Sequence, residues 1–300
     1  MTSTVDIRTE QVRFDSAGTE LRGTLHLPAE MSGPLPAVVV TGTWTSIKQQ
    51  MADRYAAALA QRGFAALSFD FAGFGDSAGD PRDVEDPQAK IRDIRAAIDF
   101  VTMHPTVDQG RVHALGVCAS AGYSAVNAAT DLRVRSLALV APWLHDSELV
   151  ADIYGGAAGV AARVATGEHA RERYETTGDV AYVPAVSATH PDAAMPFDID
   201  FYLNPARGGI PAWPNRFAIM SWPLWLRFDP IAAAPNVTQP VLVIHSEDGA
   251  IPDGARRFLA ALPRPGRAIW TDGTQFDFYD NPAHVSLAAD AAAAHFSDHT

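Results

Sequence analysis

One cysteine occupies a position where a reactive side chain would be exposed. Residues 116–122 read Gly-Val-Cys-Ala-Ser-Ala-Gly, after a strand-like run and before an alanine-rich stretch that predicts a helix. A nucleophile between small neighbours at a strand-to-helix turn forms a nucleophile elbow, which holds the side chain near the positive end of the helix. Cys118, the only cysteine, is central in this pattern. Ser120 fits a pattern shifted by two residues, but the apolar run ends at Gly116, which favours a turn at Cys118.

Composition excludes several classes of protein. Apolar residues make up 47% of the 300 residues and charged residues 19%, which is typical of a folded chain and not of a disordered one. A formal net charge of −12 without any basic run argues against nucleic acid and anionic membranes as partners. A single cysteine excludes an internal disulfide and a cysteine-rich metal site.

Targeting and cofactor signals are missing from the sequence. The N-terminus has no basic segment followed by an apolar core, and no apolar run is long enough to cross a bilayer, so we expect a cytoplasmic protein. The histidines lack metal-binding spacing, and no phosphate-binding or dinucleotide-binding glycine pattern occurs. We therefore expect neither a metal nor a cofactor. The sequence leaves a homodimer open.

Alternating strands and helices predict an α/β fold. A strand pair opens the chain, and each later strand except the one near residues 134–140 is followed by a helix. Continuous apolar strands separated by helices indicate a mostly parallel sheet with helices on both faces. The predicted strands lie near residues 11–14, 21–27, 36–41, 64–69, 111–115, 134–140, 240–245 and 267–271, and the predicted helices near residues 49–62, 86–103, 123–130, 252–262 and 282–296.

The alternation stops at residue 145 and resumes after residue 235. We therefore predict a core built from residues 1–144 and 236–300, with a cap insertion at residues 145–235, because long insertions at the carboxyl ends of strands often cover sites. A second small core is the alternative. Aromatic side chains are concentrated here, and we expect them to line a pocket for a bulky apolar or aromatic small molecule. The predicted lining residues are Trp143, Trp213, Phe217, Trp222 and Trp225.

The chain resembles the α/β-hydrolase superfamily. The elbow is the most specific match, and residues 69–77 match the superfamily's Asp-x-Arg-Gly-x-Gly-x-Ser turn, with Ala72 in place of arginine. It looks closest to the dienelactone-hydrolase-like branch that uses a cysteine nucleophile, and within it to bacterial homologues of fungal polyketide transferases. The resemblance covers nearly the whole chain outside the insertion and implies the α/β-hydrolase fold with Cys118 as nucleophile.

The same resemblance implies positions for the groups that assist a nucleophile. An oxyanion hole would use the backbone N–H of Ala119 and that of Thr43 or Trp44, between which the sequence does not choose. The acid would follow the strand that comes after the insertion. Asp248 is our choice for that acid, with Glu247 second.

The base departs from the family pattern. The family places histidine in a run like Gly-x-x-His-x-Asp-x-Tyr-Asp after the last strand, and here that position holds Gln275. A glutamine amide cannot take a proton near neutral pH. Two histidines are possible substitutes: His145, at the sheet end where ligands bind, and His284, at the start of the final helix.

These features imply an enzyme of the hydrolase or acyl-transfer type. It would act on an ester, thioester or lactone of a bulky hydrophobic substrate through Cys118 and a non-standard base. One alternative keeps the fold but replaces hydrolysis with carbon–carbon bond cleavage, cyclisation or isomerisation of a polyketide-like substrate. Another is a homologue that binds a ligand without converting it.

Overall fold

A computed structural model describes residues 6–299 of the chain. Within this range the strands are β1 Ile7–Ser16, β2 Thr19–Pro28, β3 Leu35–Thr41, β4 Ala65–Phe69, β5 Val107–Val117, β6 Val134–Val140, β7 Tyr182–Pro184, β8 Arg216–Ala218, β9 Val241–Ser246 and β10 Arg267–Thr271. The helices are α1 Ala52–Ala60, α2 Pro87–Met103, α3 Ala119–Ala128, α4 Ser147–Ile153, α5 Gly156–Thr177, α6 Asp200–Leu203, α7 Trp222–Leu226, α8 Pro252–Ala261, α9 Asp277–Asp280 and α10 Pro282–Ser297.

Eight strands form one sheet in the order β1-β2-β4-β3-β5-β6-β9-β10. The β1–β2 and β2–β4 pairs are antiparallel, and the later neighbours are parallel. Parallel neighbours need crossover connections, and the connecting helices cover the sheet. Helices α1 and α10 pack against each other on one side, and α2 and α3 pack against each other on the other. The predicted mostly parallel sheet with helices on both faces is confirmed.

Burial explains why the central strands were visible in the sequence. Both faces of β3 and β6 are covered, so nearly all their side chains are buried and apolar. The edge strand β1 instead alternates half-buried and exposed residues. The bounds of β6 and β10 agree with the predicted ones to the residue, whereas β5 begins four residues earlier and ends two residues later than predicted.

Residues 145–235, which we call the inserted segment, lie between β6 and β9. They contain α4 to α7, the small antiparallel β7–β8 sheet and the 3₁₀ turn Ile219–Ser221, and a second 3₁₀ turn, Ile231–Asn236, crosses the end of the segment. The longest element is the 22-residue helix α5, which the sequence pattern did not predict. Only Gly167 and Ala170 of α5 are buried, so this helix lacks the apolar stripe by which a packed helix is recognised.

The inserted segment is bonded to loops at the carboxyl ends of the core strands. The indole Nε1 of Trp213 donates to the carbonyl oxygen of Thr45, just after β3, at 2.8 Å. The guanidinium of Arg207 forms two hydrogen bonds, of 2.7 and 2.6 Å, with the carboxylate of Asp280 at the end of α9. Because paired Arg–carboxylate bonds fix orientation, these contacts hold the segment over this edge of the sheet.

Candidate active site

The sharp turn between β5 and α3 lies at Cys118, whose backbone has φ 56° and ψ −119°. A positive φ is uncommon for a residue with a side chain, so the surroundings must hold it. The Cys118 N–H donates to the carbonyl oxygen of Val140, and its carbonyl accepts from the N–H of Trp143. A Cβ at Gly116 would lie 2.5 Å from the carbonyl oxygen of Ser120, which explains the small residue there. Ser120 itself is fully buried inside α3.

Cys118 lines the wall of a cavity, and the residue is 7% exposed. Burial raises the pKa of the Cys118 thiol above its usual range. The hydroxyl of Tyr279 and the backbone N–H groups of Ala119 and Trp44 oppose that rise. The site therefore surrounds a buried sulfur with groups that favour its thiolate form.

The loop after β3 supplies one of these donors. Of the two residues that the sequence left open, Trp44 is the one whose backbone N–H lowers the pKa of the Cys118 thiol. The Thr43 side chain instead shares a 2.5 Å hydrogen bond with the Tyr202 hydroxyl of the inserted segment. The N–H groups of Trp44 and Ala119 both lower the pKa of the Cys118 thiol, so these two groups are the candidates for the oxyanion hole that the resemblance implies.

Gln275 is held by its own hydrogen bonds in the position where the resemblance expects histidine. Its Oε1 accepts from the N–H of Ala250 at 2.9 Å, and its Nε2 donates to the carbonyl of Ala141 at 2.8 Å and to the hydroxyl of Tyr279 at 3.0 Å. Because the Tyr279 hydroxyl accepts from Gln275, its proton is free to point at the sulfur of Cys118. Gln275 therefore orients a donor and does not accept a proton.

The two acidic candidates have different surroundings. Asp248 lines the cavity together with Gly249 and Ala250, its side chain is exposed, and it has no hydrogen-bond or ion-pair partner among residues 6–299. Glu247 points elsewhere and pairs with Arg256 on the surface. Asp248 is thus the one charged side chain among the described residues that line the cavity.

The structure corrects the expectation that a relocated histidine serves the cysteine. His145 is fully buried, and its Nδ1 accepts a hydrogen bond from the indole Nε1 of Trp143 at 2.9 Å. Burial lowers the pKa of His145 to about 4, so the ring is neutral at pH 7, its proton is on Nε2, and no lone pair is left to act as a base. His284 lies outside the cavity, with its Nε2 3.1 Å from the carbonyl oxygen of Asp272. Among residues 6–299, no histidine lines the cavity.

The cavity has a volume of about 490 Å³ and mainly apolar walls. Trp143 and Trp225 line it, as the sequence predicted. Most of the other walls come from aromatic and aliphatic side chains that the sequence analysis did not select. These are Tyr154, Met195, Phe197, Ile199, Tyr202, Phe276 and Tyr279, and they are joined by Trp44, which the sequence analysis named for the oxyanion hole.

Three predicted lining residues do not reach the cavity. Trp213, Phe217 and Trp222 are buried behind its wall. The rings of Phe217 and Trp222 pack against the outer side of Trp44, with centroids 4.9 and 6.0 Å away. Their aromatic surface joins the inserted segment to the core, so they support Trp44 and do not line this cavity.

Tyr279 is the site residue that sequence reasoning missed. It follows Gln275 by four residues, and at this spacing the two side chains are hydrogen-bonded to each other, although only Tyr279 lies within the short helix α9. That spacing was the available signal.

Among the described residues, no cluster of three His, Cys, Asp or Glu side chains is placed to hold a metal ion, and no helix has the length and apolar character needed to cross a membrane.

Comparison with known proteins identifies the family. The profile of the X-Pro dipeptidyl-peptidase (S15 family) matches residues 17–181. The chain belongs to this S15 family. The matched region runs from β2 through the elbow into the inserted segment, so it includes Cys118 and the Trp44 loop.

Individual relatives extend the match to most of the chain. An uncharacterized protein of Pseudomonas aeruginosa, PA2218, is 29% identical over 94% of this chain and 78% of its own length. The polyketide transferase ATR5 of Stachybotrys chlorohalonatus is 26% identical over 92% of this chain and 90% of its own. The thiohydrolase aneE of Aspergillus aculeatus is 33% identical over 45% of this chain and 43% of its own.

Solved structures confirm the fold. The crystal structure of PA2218 superposes with a TM-score of 0.87 at 25% identity, covering 100% of this chain and 95% of that one. The α/β hydrolase GrgF from Penicillium sp. sh18 superposes with a TM-score of 0.81 at 19% identity, covering 97% and 99%. The S15-family chain therefore has the α/β-hydrolase fold, and it is an enzyme of the α/β-hydrolase type.

Proposed function

We propose that this protein is an acyl-transfer or hydrolytic enzyme in which Cys118 accepts an acyl group from an ester, thioester or lactone. One observation carries the proposal. Cys118 lines an apolar cavity, and the backbone N–H groups of Trp44 and Ala119 lower the pKa of its thiol. A nucleophile and two convergent N–H donors are the parts that acyl transfer requires.

The first half-reaction follows from this geometry. Sγ of Cys118 bonds the carbonyl carbon as the thiol proton is lost, and the carbonyl π electrons move to oxygen. The oxyanion then takes the N–H groups of Trp44 and Ala119, which the sulfur releases as it turns to the carbonyl. Collapse breaks the bond to the alcohol or thiol leaving group, which takes up one proton. The product is a thioester on Cys118.

The second half-reaction is expected to be slow with water. Water needs a general base, but no histidine of the described chain lines the cavity, and both polar ends of the Gln275 amide are engaged in hydrogen bonds. A thiol or amine acceptor is a better nucleophile and needs less activation. We assign uptake of the acceptor's proton to Asp248, the only carboxylate that lines the cavity among residues 6–299.

The walls select the acyl group. A cavity of about 490 Å³ lined by rings such as Trp143 and Trp225 fits a bulky apolar or aromatic body. We propose that the inserted segment acts as a cap, because it contributes Tyr154, Tyr202 and Trp225 to these walls. Relatives named polyketide transferase and thiohydrolase support acyl chemistry on a substrate of this kind.

Intact-protein mass spectrometry tests the proposal. Wild-type protein and the Cys118→Ala variant are exposed to a panel of aryl esters, thioesters and lactones with apolar acyl groups. We expect an acyl adduct on wild type that maps to Cys118, and no adduct and no turnover in the variant. Conversion without an adduct, or an unaffected variant, would contradict the proposal.

Gln275 favours one second candidate. Its amide holds the Tyr279 hydroxyl as a donor and accepts no proton, which suits a step that needs hydrogen bonding and no water activation. Carbon–carbon bond cleavage, cyclisation or isomerisation of a polyketide-like substrate would meet this description. That reaction gives product from the same panel without any adduct on Cys118, whereas binding alone gives neither product nor adduct.

A further inference from the structure

Glu85 is a buried carboxylate next to the site that neither half-reaction uses. It is 0% exposed and precedes α2. Its Oε2 accepts from the backbone N–H of Thr45 at 2.9 Å, and its Oε1 accepts from the hydroxyl of Tyr123 at 2.6 Å. The ammonium of Lys90 lies 2.7 Å from Oε1 and 2.8 Å from Oε2. Every acceptor position of this carboxylate therefore faces a donor.

The bonded partners of Glu85 belong to the two segments that carry the N–H donors of the site. Thr45 follows Trp44 directly, and its backbone is left-handed, with φ 58°. A β-branched residue resists that conformation, so the peptide between them needs an external restraint. Tyr123 lies in the first half of α3, the helix that begins with Ala119. One carboxylate thus joins both halves of the oxyanion hole.

Lys90 explains how an ionised carboxylate is tolerated there. Lys90 is 1% exposed, and its ammonium lies over the rings of Phe71 and Phe74, 4.7 and 4.2 Å from their centroids. A buried pair of this kind is often no more stabilising than apolar residues of the same volume, so its retention calls for another explanation. The inserted segment also reaches the pair, because the Glu85 N–H donates to the hydroxyl of Ser221 at 2.9 Å.

We propose that Glu85 is a positioning residue for the oxyanion hole: through the Thr45 N–H and the Tyr123 hydroxyl it fixes the Trp44 and Ala119 donors at one spacing. This inference rests on the proposed function, because an oxyanion hole matters only to acyl chemistry. The positioning itself can be tested separately, because the Thr45 and Tyr123 bonds of Glu85 do not depend on the reaction and the Trp44 and Ala119 N–H groups also lower the pKa of the resting Cys118 thiol.

Two double variants separate positioning from the loss of a buried charge pair. Both replace Lys90 by Met, so neither leaves an unpaired buried charge. Glu85→Gln/Lys90→Met keeps an amide oxygen that accepts from the Thr45 N–H, whereas Glu85→Leu/Lys90→Met removes the acceptor. Asp93→Asn is a second control, because Asp93 is also buried and accepts from Ser16 and Ala72, away from the sulfur.

Two rates are measured on each variant, both at Cys118. Acylation by an aryl thioester depends on the oxyanion hole, and we expect Glu85→Leu/Lys90→Met to be roughly 100-fold slower than its glutamine counterpart, as for loss of one oxyanion donor. Alkylation by iodoacetamide forms no oxyanion. The limiting rate of alkylation at high pH should agree within about twofold between the two double variants. The pH midpoint of alkylation should be roughly one unit higher in Glu85→Leu/Lys90→Met, because a donor to the thiolate is displaced there.

The outcomes distinguish the two proposals. Positioning by Glu85 is supported if acylation is slower and the pH midpoint of alkylation is higher in the leucine double variant but not in the glutamine double variant. Equal midpoints and equal acylation in the leucine and glutamine variants overturn it, as does a comparable loss in Asp93→Asn. If wild type itself forms no acyl adduct, the proposed function fails, and the alkylation midpoint alone decides whether Glu85 positions the Trp44 donor.

Discussion

Replacing Tyr279 with phenylalanine removes one hydroxyl from the surroundings of the Cys118 sulfur. That hydroxyl accepts from Nε2 of Gln275 at 3.0 Å and donates toward the sulfur. Phenylalanine fills the same volume, and Gln275 keeps its bond to the carbonyl of Ala141. The variant therefore deletes a donor to the thiolate and should destabilise the fold by only about 1 kcal/mol.

The size of the effect follows from the charge of the acceptor. A hydrogen bond to a charged group is worth about 1.5–3 kcal/mol, and about 1.4 kcal/mol corresponds to one pKa unit. Burial already raises the pKa of Cys118, and losing the Tyr279 donor should raise that pKa by roughly one to two further units. At neutral pH the thiolate fraction, and with it the alkylation rate, should fall by roughly 10- to 100-fold.

The assay is the rate of iodoacetamide alkylation against pH, read by intact mass. Tyr55→Phe is the matched control, because the Tyr55 hydroxyl is equally buried and donates to the carbonyl of Phe278 at 2.7 Å without contacting the sulfur. We expect the midpoint to rise in Tyr279→Phe and to stay within about 0.3 units in Tyr55→Phe. A midpoint that is unchanged or lower in Tyr279→Phe would refute the reasoning.

Three further outcomes are expected. Gln275→His installs a base in the cavity wall and should shorten the lifetime of an acyl adduct by roughly 100-fold or more, measured as loss of adduct mass. An unchanged lifetime would contradict the claim that hydrolysis is slow because the cavity lacks a base. Burial lowers the pKa of His113 to about 3, so the unfolded chain binds more protons as pH falls from 6.5 toward 4; His113→Phe should remove up to about 1.4 kcal/mol per pH unit from the slope of unfolding free energy measured in urea, and parallel slopes contradict this. Gly116→Ala places a Cβ 2.5 Å from a backbone oxygen of α3 and should cost about 1–3 kcal/mol by thermal unfolding, while Gly33→Ala, in open space, should not.

Local pattern was sufficient for the sheet and the elbow. Strands such as β6 are buried on both faces, so their continuous apolar runs stand out in any window of sequence. The turn at Cys118 was also visible locally, because a turn whose backbone approaches itself as closely as at Gly116 requires small residues. The long helix α5 escaped because an exposed helix needs no apolar stripe.

Pairing between distant residues was not readable from the chain. Whether Trp143 and Trp222 line the cavity or pack inside the protein depends on how the inserted segment packs on the core. Of these two residues, Trp143 lines the cavity and Trp222 does not. The position of His145 at the sheet end made it a reasonable candidate for the base. Its tautomer is set by a hydrogen bond from the indole of Trp143, and the sequence does not show the direction of that indole. Tyr279 acquires its importance only through the bond to Gln275.

The glutamine at position 275 has a consequence for how this lineage diversifies. Glutamine and histidine codons differ only in their third base, so one nucleotide exchange would introduce an imidazole beside a sulfur already set in place. Asp248, unpartnered on the adjoining loop, would then be available to such a ring. Two proteins that differ by that single exchange would then differ in whether the acyl group on Cys118 is transferred to an acceptor or hydrolysed by water.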